Sequence, residues 1–147
     1  MSVKYHRPRY ELAAQVRKGT GLAVPEAVSR AEANVEAMRE DLARDLAAKV
    51  ETLEPLLEPV VVGSQDPRAV YDLAEGLIAV AGACGFSDAA RAAHSLCELL
   101  DRMATREAYD TEPLMVHVRA LRLLIQPAPL PKEASEQILS GLDKVCG

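Results

Sequence analysis

From position 70 to 103 apolar residues return every three or four places. They fall at Val70, Leu73, Leu77, Val80 and Cys84, then at Ala89, Ala92, Leu96, Leu99 and Met103. Such spacing keeps each set on one stripe of an α-helix. Gly85-Phe86-Ser87 separates the two runs. Gly85 suits the left-handed backbone that ends a helix, and Ser87 is placed to cap the next one with its hydroxyl. The pattern predicts two amphipathic helices joined as a tight hairpin.

Upstream, Pro25 and Glu26 open a longer stripe of Val28, Ala31, Val35, Met38, Leu42, Leu46, Val50, Leu53 and Leu57. It predicts one helix of roughly eight turns. Arg30, Glu32, Glu36, Arg39, Asp41 and Arg44 lie opposite, as a solvated face. Pro55 lacks an amide donor and should kink or end this helix. Pro59-Val60-Val61-Val62-Gly63-Ser64-Gln65 reads as an extended link, since no second strand is on offer to the valines. Asp66-Pro67 then starts the hairpin, with Asp as cap and Pro in the first turn.

Beyond the hairpin, residues 105–109 read as a polar loop. Asp110 or Thr111 caps a helix carrying Leu114, Val116, Val118, Leu121, Leu124 and Ile125. Pro127, Pro129 and Pro131 stop it and stiffen the next link. A final short helix turns Ile138, Leu139, Leu142 and Val145 inward. The expected architecture is all-α: an antiparallel four-helix bundle with an additional C-terminal helix, spanning residues 21–147, behind a basic N-terminal arm, residues 1–20.

Composition agrees with a helical core. The 147 residues are 49% hydrophobic, with one Phe and no Trp, and a chain of this length can bury a core without metal or disulfide. No apolar run approaches a membrane span, and the first residues do not begin a secretory signal. Cys84, Cys97 and Cys146 are odd in number and lack metal-ligand spacing, so a reducing cytoplasm is expected, with no metal and no cofactor. The net charge is −5, yet residues 1–20 hold Lys4, Arg7, Arg9, Arg17 and Lys18 against Glu11 alone. That arm is +4, so the remainder carries −9, the difference between −5 and +4. The arm is expected to lie back on the acidic domain or to be disordered. A surface at −9 repels nucleic acid, whose backbone requires cations, so no nucleic-acid or membrane partner is expected.

Gly82, Gly85 and Phe86, with His94, Leu99, Leu100 and Asp101 on the second hairpin helix, carry a resemblance. The chain from about 66 to 126 resembles a histidine-phosphotransfer (HPt) domain, especially the version at the front of chemotaxis kinases. There a phosphoryl-carrying histidine opens the pattern H-x-x-K-G-x-x-G-x-x-G-F. Counted back from Gly85, that histidine falls at Glu75, the lysine at Ile78 and the following glycine at Ala79. The resemblance implies a kept scaffold without its chemistry. A carboxylate supplies neither the nucleophilic nitrogen nor a counter-charge for the phosphoryl group.

Glu75 lies about 200° around the helix from Leu73 and Leu77, hence in solvent. The resemblance therefore implies a non-phosphorylatable pseudo-HPt protein, not an enzyme. It would dock a response-regulator receiver domain or a histidine kinase through Asp72, Glu75, Ile78, Ala79 and Gly82. Two alternatives stand beside it: an active phosphotransferase using His94, and a helical interaction module unrelated to phosphorelay. His94 is expected at the same height in the hairpin as Glu75, within reach of a hydrogen bond. His117, between Val116 and Val118, is expected as a half-buried packing residue, and His6 sits in the basic arm. No Gly-rich phosphate loop, HExxH or serine elbow occurs.

Overall fold

The hydrophobic periods become six α-helices and no strand in the computed structural model, which describes residues 23–147. They are α1 (Val24–Glu51), α2 (Glu54–Val61), α3 (Arg68–Ala83), α4 (Ser87–Arg106), α5 (Thr111–Leu124) and α6 (Lys132–Cys146). The chain divides into two compact units, residues 1–37 and 38–147, with the boundary inside α1. The basic arm, with Lys4, Arg7, Arg9, Arg17, Lys18 and His6, lies outside the described residues. No helix among those described is long and apolar enough to cross a membrane.

In the first unit the described part of α1 is exposed, and Val28, Ala31 and Val35 do not bury the stripe that their spacing suggests. In the second unit Met38 is exposed too, and burial begins only at Ala43, Leu46 and Val50. A helical period identifies which residues share a face, but it does not supply a surface to cover that face. The helix also stops short of Leu57. Pro55 has no N–H to give the carbonyl of Glu51, so the chain breaks at Thr52-Leu53 and restarts as α2.

The valine stretch is not an extended link. Pro59, Val60 and Val61 complete α2, and Val60 is buried. Proline's fixed φ suits a helix, and in a helix this short few bonds are lost to it. Gly63 ends α2 at φ +75°, with the Ser64 N–H donating to the Pro59 carbonyl at 2.9 Å. Asp66 then caps α3: its carboxylate accepts the Arg68 amide at 2.8 Å.

α4 is the central helix, packed by α3, α5 and α6, while α2 lies against α5 and touches α3. Its neighbours come close because Ala89, Ala92 and Ala93 face them. The same closeness moves the seam of α3. The fully buried residues are Val70, Ala74, Leu77 and Ala81, whereas Leu73, Val80 and Cys84 are half-buried flanks. Ala74 and Ala81 share the buried line with Val70 and Leu77, and the half-buried residues pack beside it.

The hairpin turn holds as expected at Gly85, φ +80°, and the Phe86 N–H donates to the Ala81 carbonyl at 2.8 Å. Ser87, however, does not cap α4. It is already the first helical residue; the capping position belongs to Phe86, and no side chain accepts the free amides. The burial of Phe86, 4% exposed, anchors the turn in place of a hydroxyl.

α4 runs through Thr105 to Arg106 and closes at Glu107 in left-handed backbone, φ 51°, so the loop is shorter than the five residues expected. Asp110, not Thr111, caps α5, accepting the Glu112 amide at 3.0 Å. On α5 Val116 is half-buried, and on α6 Val145 is exposed while Cys146 turns inward. Arg39 leaves the solvated face assigned to it. Its guanidinium stacks 4.7 Å from the Phe86 ring centre and its Nε donates to the Pro127 carbonyl at 3.2 Å. At the other end of the packed part of α1, Arg122 of α5 grips Glu51 with two hydrogen bonds of 2.7 Å and also binds Glu54.

Candidate functional site

One face of α3 carries the residues singled out by the sequence. Asp72, Glu75, Ala79 and Gly82 are all exposed, as is Gly76 among them. Their spacing of three and four places them along one strip. Ile78 does not join it: its side chain is half-buried and packs against the core. Asp72 is held by Arg68 at 2.6 Å, an exposed i,i+4 pair, and Arg68 also covers the Tyr71 ring at 5.0 Å.

The two glycines of the strip need an explanation. A methyl group built on Gly76 or Gly82 would meet nothing within 4 Å. Neither has the left-handed backbone of Gly85. Glycine within a helix costs about 1 kcal/mol relative to alanine, and no contact among the described residues requires that cost. The strip therefore presents bare helical backbone around Glu75, flanked by one methyl at Ala79.

Asp101 of α4 and Glu75 of α3 both act on the groups between the two helices. The Cys97 thiol is pushed up to about 11, first by burial and then by the charges of Asp101 and Glu75. It stays protonated at neutral pH and is no nucleophile. The Tyr71 phenol is raised as well, chiefly by Asp101. Electrostatically the groove between α3 and α4 is acidic. His94 is exposed, but its charged neighbour is Glu98 on its own helix, with Nδ1 3.9 Å from the carboxylate. No hydrogen bond joins His94 to Glu75 among the described residues. Equal height in a hairpin does not make two side chains converge when they leave their helices in different directions.

A second cluster escaped the sequence reading. His117 is not half-buried but wholly buried, and it joins three helices. Its Nδ1 lies 2.8 Å from the Pro113 carbonyl, which fixes the proton on that nitrogen. Nε2, with its one lone pair, is then left to accept from the Ser95 hydroxyl at 3.0 Å, while the Cys146 thiol lies 3.6 Å from it and donates to the Ser95 backbone carbonyl. Ser95 and Cys146 are themselves 3.3 Å apart. Burial lowers the His117 pKa and keeps the ring neutral.

The order of nucleophile, base and orienting carbonyl has the form of a catalytic relay. All three side chains are nevertheless shut in, Ser95 and Cys146 at 8% and 7% exposure, so no substrate reaches them. The cluster fastens α6 to α4 and α5, helped by Arg102 of α4, which binds the Cys146 carbonyl. Its residues lie 22 and 29 positions apart in sequence, beyond any local motif. A buried histidine between two valines was the one signal available.

Among the described residues no three of His, Cys, Asp or Glu converge as a metal site. No family model, no curated protein and no solved structure matches this chain.

Proposed function

We propose that this chain is an HPt-like protein that carries no phosphoryl group itself and docks a receiver domain or histidine kinase in the cytoplasm. In this reading α3, α4, α5 and the packed part of α1 are the antiparallel four-helix bundle, and α6 is the additional helix. The observation that carries it is the α3 strip. Glu75 stands where the resemblance puts the phosphoryl histidine, exposed and bordered by Gly76, Ala79 and Gly82. A partner that must come close to a helix needs small residues around the point of contact. Those glycines weaken the helix and serve no contact among the described residues.

Calorimetric titration against a panel of receiver domains and kinases tests the proposal, with Ala79→Lys as the probe. A lysine there should weaken docking at least about 10-fold, since its charge would be desolvated against the partner. Unchanged affinity removes this contact face. The active-phosphotransferase reading rests on the exposed imidazole of His94 beside Glu98. Acid-labile label on the native protein, lost in His94→Ala, would establish it instead.

A further inference from the structure

At the end of the hairpin remote from Glu75 lies a cleft that the docking strip does not use. It encloses about 170 Å³. Drug-sized ligands need pockets of roughly 300–1,000 Å³, so only a small group fits. Arg39, Phe86, Ser87, Asp88, Gln126 and Ser135 line it. The site lies roughly 15 Å along α3 from Glu75, at 1.5 Å per residue.

Three features make it a site for an anion. First, α4 opens into the cleft without any side-chain cap, so the amides of its first turn keep their partial positive charge. Second, the Arg39 guanidinium is pinned there by the Phe86 ring and by its Nε bond to Pro127. Its terminal nitrogens remain, and Nη1 lies 3.7 Å from where a side chain on Gly85 would begin.

Third, Ser135 of α6 is only 5% exposed, yet its hydroxyl has no partner among the described residues. Among the described residues no fully enclosed side-chain polar atom goes unpaired, and Ser135 lines the cleft, so its hydroxyl opens there. Open to the cleft, the hydroxyl is free to bond a group bound there in place of water.

Asp88 sharpens the chemistry. Its carboxylate lines the same cleft and is held only loosely by Arg91, at 3.7 Å. A bare anion such as sulfate would meet repulsion there. An anion that keeps a proton can donate it to Asp88 while its other oxygens accept from Arg39, Ser135 and the helix amides. Inorganic phosphate still carries a proton at neutral pH, whereas a monoester, whose second ionisation lies near pH 6, keeps one mainly at and below about that pH.

We propose that this cleft binds a protonated phosphate group, either free phosphate or the terminal group of a small monoester. The proposal is independent of receiver docking, since neither the strip around Glu75 nor any partner protein is involved.

The test is titration of the intact, isotope-labelled chain with inorganic phosphate at pH near 6, followed by amide chemical shifts. Saturable shifts confined to Gly85, Ser87, Asp88 and Ser135 are expected, with half-saturation on the order of 1 mM, and phenyl phosphate in place of phosphate reports whether an ester is taken as well. Arg39→Ala should weaken binding at least about 10-fold. Because that change also removes the stack on Phe86, Ser135→Ala is the second probe; it should weaken binding while leaving the melting curve in place. Sulfate should bind more weakly than phosphate, and Asp88→Asn should erase the difference. Shifts that stay linear to about 50 mM, or that spread equally over Arg44, Arg91 and Arg119, overturn the site. Equal binding of sulfate and phosphate by the native chain overturns the assignment of a protonated ligand.

Discussion

Gly76→Ala should make this protein more stable and its docking face worse. Gly76 lies in the middle of α3, in helical backbone, and the added methyl would meet nothing within 4 Å. The substitution therefore gives up no contact and creates no clash. It restricts the unfolded chain and removes glycine's helix penalty, together worth about 1 kcal/mol. Gly82 sits in the last turn of α3, where helix propensity counts for less, so Gly82→Ala should add about half as much. For a chain of this size, 1 kcal/mol moves the melting temperature by about 3 °C.

Urea unfolding followed by circular dichroism reads the gain as a higher midpoint at unchanged slope. Titration of the double variant with a docking partner should show weaker binding, because two methyl groups stand off the approaching surface. A loss of stability in Gly76→Ala would refute the reasoning at its first step, by showing that the glycine serves the fold. Gained stability with undiminished affinity would refute the second step.

Two further outcomes follow from burial. Leu77, 1% exposed, faces α4, and Leu77→Ala should cost about 2–5 kcal/mol, whereas the exposed Glu75→Ala should change stability by less than about 0.5 kcal/mol; similar losses by urea unfolding would mean the helix faces are misassigned. Burial lowers the His117 pKa, so below about pH 6.5 the unfolded chain takes up a proton that the folded chain resists. Stability should fall as pH drops from 6.5 to the lowered folded value and then level off. His117→Gln should flatten that slope in urea melts above pH 5, a window clear of Glu51, whose pKa Arg122 holds below the usual carboxylate range. An unchanged slope would mean the ring titrates freely.

Much of the fold is legible in the chain itself because it rests on local rules. Three- and four-residue spacing, Gly85 at a positive-φ turn, Asp66 and Asp110 as caps and Pro55 as a breaker each act through neighbours within a turn or two. The same spacing put Glu75, Ala79 and Gly82 in solvent. The candidate strip was therefore readable in outline, although Ile78 at its edge was not.

Tertiary packing decided the rest, and the reason is common to all of it. A period states which residues share a face but not what lies opposite. Hence Val28, Val35 and Met38 stay exposed on a stripe that looked like core, and Pro59 to Val61 finish a helix because α5 stands beside them. Hence also Ala74 and Ala81 join Val70 and Leu77 in the buried seam of α3, while Leu73 and Val80 are left as flanks. Ser95, His117 and Cys146 come from three helices and meet only when those helices dock. Arg39, Ser87, Asp88 and Ser135 gather in the same way around a cleft whose charge pattern no stretch of the sequence contains. Local chemistry determined the helices and their ends; contact between helices distant in sequence determined the buried polar cluster and the cleft.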